Sequence, residues 1–131
     1  MTPDRRTPPA PAVDVLLVED DAGTSTLIVD ALHGRNLTTD VAGDVFEAKR
    51  LLSRAAYTVV VVDLLLADGA GSEVIDFIKN IGLTSTQVVV VTAASPSLLG
   101  GVDRSIVKTL FFKPLNVEHF ASYVQTLAGR R

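Results

Sequence analysis

Four short apolar runs constrain this chain more than any other feature. Val15 to Val18 (VLLV), Val59 to Val62 (VVVV), Val88 to Val91 (VVVV) and Leu110 to Phe112 (LFF) are apolar throughout, with no polar position alternating between them. A strand with one solvated face alternates, whereas an unbroken apolar run of this length suits a strand covered on both faces. These runs are expected as strands buried on both faces, and a weaker run, Thr38 to Ala42, as a more peripheral fifth strand.

Amphipathic stretches fill the intervals. Ala22 to His33 carries Leu27, Ile28, Ala31 and Leu32 and is followed by Gly34, where a helix would be capped. Val45 to Ala55 repeats the pattern through Phe46, Ala48, Leu51 and Leu52 after a cap at Asp44, and Ser72 to Asn80 does so through Val74, Ile75 and Ile78. Val117 to Ala128 places Phe120, Val124 and Leu127 on one face before Gly129 ends it. Ser97 to Val107 is expected as a short or mobile fourth helix, because Gly100 and Gly101 each cost a helix about 1 kcal/mol relative to alanine.

Strands alternating with helices predict an α/β fold, a three-layer sandwich with right-handed crossovers over a parallel sheet. For five strands the doubly wound order 2-1-3-4-5 is expected, with a ligand crevice at the carboxyl ends of strands 1 and 3. Residues 1–12 hold four of the six prolines together with Arg5 and Arg6, and read as a disordered leader outside the fold. Residues 13–129 then form one domain and 130–131 a tail.

With 131 residues and 47% hydrophobic content, a single domain has enough apolar material for a full core. Its 12 basic and 15 acidic residues leave a charge of −3, which argues against direct nucleic-acid binding. The absence of cysteine removes disulfides, thiolate catalysis and thiolate-bound metals. His33 and His119 lack metal-ligand spacing, lie away from the strand termini and are expected on helix surfaces without a chemical role. No signal peptide or bilayer-spanning run is visible, so a cytoplasmic location without a membrane partner is expected.

The polar residues at the strand ends carry the chemistry. The first strand runs into Glu19, Asp20 and Asp21, the third ends at Asp63, the fourth at Thr92 and the fifth at Lys113. In the expected order these strands are neighbours, so two or three carboxylates, a hydroxyl and an ammonium converge on one crevice. Clustered carboxylates call for a cation, and hard oxygen ligands suit Mg²⁺ or Mn²⁺, which leave coordination open for phosphate oxygens. Asp63 is then the candidate nucleophile, with the metal, Lys113 and Thr92 neutralising charge on a transferring phosphoryl group. Asp21 is equally suited to capping the first helix.

From Val13 to Ala128 the chain resembles the response-regulator receiver domains of two-component signalling, the CheY-like family with its flavodoxin-like fold. The matching segments are LLVEDD at Leu16 to Asp21, VVVVDLLLADGAG at Val59 to Gly71, VVVVTAA at Val88 to Ala94 and FFKPL at Phe111 to Leu115. The resemblance implies that Glu19 and Asp20 are the acidic pair, Asp63 the phosphoacceptor, Thr92 the switch hydroxyl and Lys113 the lysine before proline. It further implies metal binding by Asp20, Asp63 and the Leu65 backbone carbonyl, with Glu19 acting through water, and a cis Lys113 to Pro114 peptide. Its implied partners are a sensor histidine kinase or histidine phosphotransfer protein and a downstream protein, with self-association left open.

Departures from the family pattern fall in the loop after Asp63 and, more consequentially, on the output side. Ala67 stands where proline is common, although Gly71 keeps the usual glycine. Leu110 replaces the usual aromatic three residues before the lysine; Ile106 and Val107 replace the glycine and alanine leading into the last strand; and Gly100-Gly101 is unusual. An atypical output face is therefore expected. Phe111 and Phe112 are expected in the sheet core, while Leu98 and Leu99 fit either core or a partner contact. Three other functions compete with the receiver reading. An aspartyl-phosphate phosphatase would carry an Asp where Leu65 stands, so a stoichiometric acceptor rather than an enzyme is expected. A flavin-binding loop at Gly23 to Thr26 is opposed by the acidic residues before it. A phosphorylation-independent interaction module is the remaining alternative.

Overall fold

A computed structural model describes residues 13–66, 69–83, 85–93 and 105–129. Its strands are β1 (Val15–Val18), β2 (Thr39–Ala42), β3 (Val59–Asp63), β4 (Leu65–Leu66), β5 (Gly69–Ala70), β6 (Gln87–Thr92) and β7 (Val107–Phe112). The described helices are α1 (Ala22–His33), α2 (Val45–Leu52), α3 (Gly71–Asn80) and α4 (Val117–Leu127). The five-stranded sheet has the order β2-β1-β3-β6-β7, all neighbours parallel, which is the expected 2-1-3-4-5 order once the small antiparallel β4-β5 hairpin is set aside. That hairpin was not foreseen; two residues per strand are too few to leave a periodicity.

The missing alternation in the strands has a direct cause in the packing. Leu16, Val18, Val60, Val62, Val88 and Val90 enter one core, shared with α2 and α3. Their neighbours Val15, Leu17, Val59, Val61, Val89 and Val91 enter a second core under α1 and α4. Both faces of the three inner strands are thus dry, as parallel sheets require.

The last apolar run departs from expectation. β7 is an edge strand paired only with β6, so Leu110 and Phe111 are half-buried and Phe112 is 47% exposed rather than in the core. Leu27 and Phe46, assigned to the inner faces of α1 and α2, also point outward, at 61% and 72% exposure. In each case the next residue or two, Ile28 or Ala48, takes the core position, because apolar composition fixes a helix face only to within one residue. α2 stops at Leu52 with Ser53 as its cap, short of Ala55. The expected fourth helix lies outside the described residues up to 104; Ser105 and Ile106 form a turn and Val107 already belongs to β7.

Capping follows the sequence. Asp44 accepts from Glu47 N, Asn116 from His119 N, and Gly129 closes α4 in the left-handed region at φ 74°. His33 and His119 are exposed on their helices, as expected, with the His119 ring edge-on to Phe111 at 6.2 Å. At the amino end of the sheet Asp14 and Thr38 satisfy each other, whereas the buried hydroxyl of Thr39 beside them has no hydrogen-bond partner among the described residues. Buried Asp14 accepts from Thr38 N at 2.9 Å and from its hydroxyl at 3.1 Å, while Asp14 N donates back to Thr38 Oγ1. The Gln87 amide donates to the Leu127 carbonyl at 2.9 Å, fixing the end of α4 beside the start of β6.

Candidate functional site

The opposite end of the sheet is where the acidic and basic groups collect. Glu19, Asp63 and Lys113 each lie two residues past a side chain of the α1/α4 core, namely Leu17, Val61 and Phe111. The pleat therefore aims all three to the same side of the sheet edge. Lys113 Nζ sits 2.6 Å from Glu19 Oε1 and 2.9 Å from Asp63 Oδ2. Glu19 and Asp63 are buried at 3% and 5% exposure, whereas Asp20 is exposed. The Lys113 to Pro114 peptide is cis, as the resemblance implied.

Asp63 is held at both oxygens. Oδ1 accepts from Leu65 N at 2.9 Å and Oδ2 from Lys113. The resemblance implies a role for the Leu65 carbonyl, whereas the structure shows its amide on Asp63, a role with no sequence signal, since every non-proline residue carries that donor. Thr92 is fully buried at the end of β6, one position past Val91, the register partner of Asp63, and its carbonyl accepts from Lys113 N at 3.0 Å. Asp21 does not join the cluster: its Oδ2 accepts from Thr24 N at 2.8 Å and Thr24 Oγ1 at 2.6 Å, which caps α1.

Carboxylate oxygens of Glu19, Asp20 and Asp63 all lie within 4.8 Å of one another. Three carboxylates against the one ammonium of Lys113 leave two negative charges, which a single divalent cation would balance. The donors are all hard oxygens, so the residues present fit Mg²⁺ or Mn²⁺ better than softer metals. Lys113 already covers part of that charge.

Burial pushes the Glu19 carboxyl above its ordinary range, and the nearby Asp63 charge adds to this, although Lys113 opposes it. For Lys113 burial works downward, but Glu19 and Asp63 together outweigh it and raise the ammonium above its usual value. A raised carboxyl favours the folded state fully below its unfolded value near 4.5, and that contribution is lost as pH rises through the folded value. In metal-free buffer Glu19→Gln is therefore expected to melt higher than wild type at pH 7, with the gap closing toward pH 4.5. Magnesium should reverse the order at pH 7 by stabilising wild type more, and scanning calorimetry with and without EDTA reads both effects; a variant less stable at every pH without metal would refute the assignment.

The profile of the response regulator receiver domain matches residues 15–125. Over 66 residues, 50% of the chain, the sequence is 33% identical to the photosynthetic apparatus regulatory protein RegA of Rhodobacter capsulatus, and the match covers 36% of that protein. A CheY-like response regulator receiver domain protein from Methanospirillum hungatei superposes with a TM-score of 0.81 at 16% identity, covering 89% of this chain and 94% of that one. A response regulator from Burkholderia pseudomallei, solved with a phosphorylated aspartic acid, calcium ion and citrate, gives 0.75 at 22% identity, covering 89% and 69%. At these identities the superpositions speak for the fold alone.

Proposed function

Because the chain belongs to the response regulator receiver domain family, we propose that it accepts a phosphoryl group on Asp63, from a phosphohistidine on a kinase or phosphotransfer partner, in a magnesium-dependent step. The observation that carries this reading is the buried Asp63 carboxylate, held by Leu65 N and Lys113 beside two further carboxylates. The phosphorylated aspartic acid and calcium ion of the Burkholderia pseudomallei relative support it. Among the described residues no helix is long and apolar enough to cross a membrane.

Each Asp63 oxygen keeps a lone pair beyond its present hydrogen bond and can attack phosphorus in line. The oxygen–phosphorus bond forms, the phosphorus–nitrogen bond breaks, and the partner's imidazole nitrogen keeps the electron pair and takes a proton from solvent. Glu19, Asp20, Asp63 and the Leu65 carbonyl would hold a divalent cation, which when bound supplies positive charge beside the incoming oxygens. Lys113, already at the Asp63 oxygen, follows the new dianion, and the Thr92 hydroxyl is drawn to it. Because Leu65 stands where a phosphatase would need an acid/base, the acyl phosphate persists, and the chain acts as a stoichiometric acceptor whose output is altered affinity for a downstream protein.

Intact-mass analysis after incubation with a small phosphodonor tests this directly. Wild type should gain one phosphoryl group with magnesium and none with EDTA, and Asp63→Asn should gain none in either. A folded wild type that takes up nothing would favour the phosphorylation-independent interaction module. Leu110, half-buried against the α2/α3 core where relatives carry an aromatic switch, gives that second reading its footing.

A further inference from the structure

We propose that the groove between α2 and α3 docks a short acidic segment of a partner protein, anchored by an apolar side chain. Phe46, Lys49, Arg50, Ser53, Arg54 and Phe77 line it. Phe46 is 72% exposed, the largest exposure among the large hydrophobic side chains described, and the half-buried Phe77 ring forms the floor with Lys49 Nζ 6.0 Å from its centroid. An exposed aromatic beside a second ring, rimmed by charge, is the composition of a protein contact rather than of ordinary surface.

Charge selects the occupant. The chain carries −3 overall with only 12 basic residues, yet three of them, Lys49, Arg50 and Arg54, fall within six positions at this groove. Arg50 is committed to Glu47 through its Nε at 2.8 Å, whereas Lys49 and Arg54 make no ion pair among the described residues. Cations in the last turn of α2 suit the helix dipole, but that accounts neither for Arg54, past the helix end, nor for the outward Phe46. Two rings take up an apolar anchor, and Lys49 over the Phe77 ring and Arg54, whose charge also reaches Glu47, favour carboxylates flanking it. A nucleic-acid strand would meet the repulsion of a net acidic chain, and the six groove residues contain no carboxylate that would select a basic segment.

The groove shares no lining residue with the Asp63 cluster, so this inference is tested without phosphorylation. Random twelve-residue peptides are selected on the immobilised full chain, and those enriched are labelled with fluorescein and titrated by anisotropy. Wild type, Asp63→Asn, Phe46→Ala and the double variant Lys49→Glu/Arg54→Glu are compared, with stability and phosphoryl uptake checked for each. The expected result is enrichment of acidic peptides with an apolar anchor, bound equally by wild type and Asp63→Asn. Binding should weaken at least tenfold in Phe46→Ala and in the charge-reversed variant, and weaken in high salt. Absence of enrichment, enrichment without acidic bias, or affinity unchanged by the groove variants overturns the proposal. Sedimentation of wild type as a dimer that Phe46→Ala dissolves would also overturn it, by assigning the groove to a second copy of the chain.

Discussion

Gly71→Ala is expected to destabilise the fold by about 3 kcal/mol, the upper range for forcing extra volume into a packed interior. Gly71 is buried at the start of α3 and its N–H donates to the Leu64 carbonyl at 3.0 Å. A methyl group there would overlap the Asp63 carbonyl oxygen and come within 2.8 Å of both the Asp63 carbonyl carbon and Val62 Cγ1. Two of these three obstacles are backbone, so relief requires α3 to move away from β3 or Asp63 to move with its strand. The same substitution should therefore slow phosphoryl uptake, which a merely loosened helix would not do. Gly43→Ala is the control, since a methyl there meets nothing within 4 Å, and its cost should stay within about 0.5 kcal/mol. Urea titration reads both, and equal effects at the two glycines would disprove the close-approach argument.

Lys113→Met should cost about 2 kcal/mol at pH 8 in metal-free buffer. Removing one partner of a buried ion pair leaves the other charges uncompensated, typically at 3–5 kcal/mol, and the lower figure allows for the 23% exposure of this side chain. Without the ammonium, Glu19 and Asp63 face each other directly, and the Glu19 carboxyl, already raised by burial, loses the contact that holds it down. A carboxyl so raised favours the fold at low pH and loses that contribution as pH rises through its folded value. The deficit against wild type should therefore shrink at pH 5, where protons take over part of the neutralisation, and also on adding magnesium at pH 8. A deficit independent of pH and metal would mean that Lys113 acts through packing alone.

The sheet was legible in the sequence because three all-apolar runs can be dry on both sides only in the middle of a parallel sheet, and their polar terminators then fall on one edge. Glu19, Asp63 and Thr92 are those terminators, and Lys113 ends the edge strand beside them. What stayed illegible depends on neighbours rather than on composition. Phe112 sits in a run as apolar as the others, but its strand is at the edge. Phe46 and Leu27 match an inner helical face until the actual rotation of each helix turns them out. Asp20 and Asp21 look alike beside Glu19, yet one joins the carboxylate cluster and the other caps α1. The amide of Leu65 on Asp63 is backbone chemistry, invisible in side-chain identity.

The two ends of the sheet differ in what they carry. At one end Asp14 and Thr38 satisfy each other and Gln87 ties down the last turn of α4. The chain thus enters the domain at Asp14 and finishes its last helix at Leu127 on this sealed side, with the carboxylate cluster at the far side. The described fold therefore keeps both of its chain ends on the edge of the sheet opposite Glu19, Asp63 and Lys113.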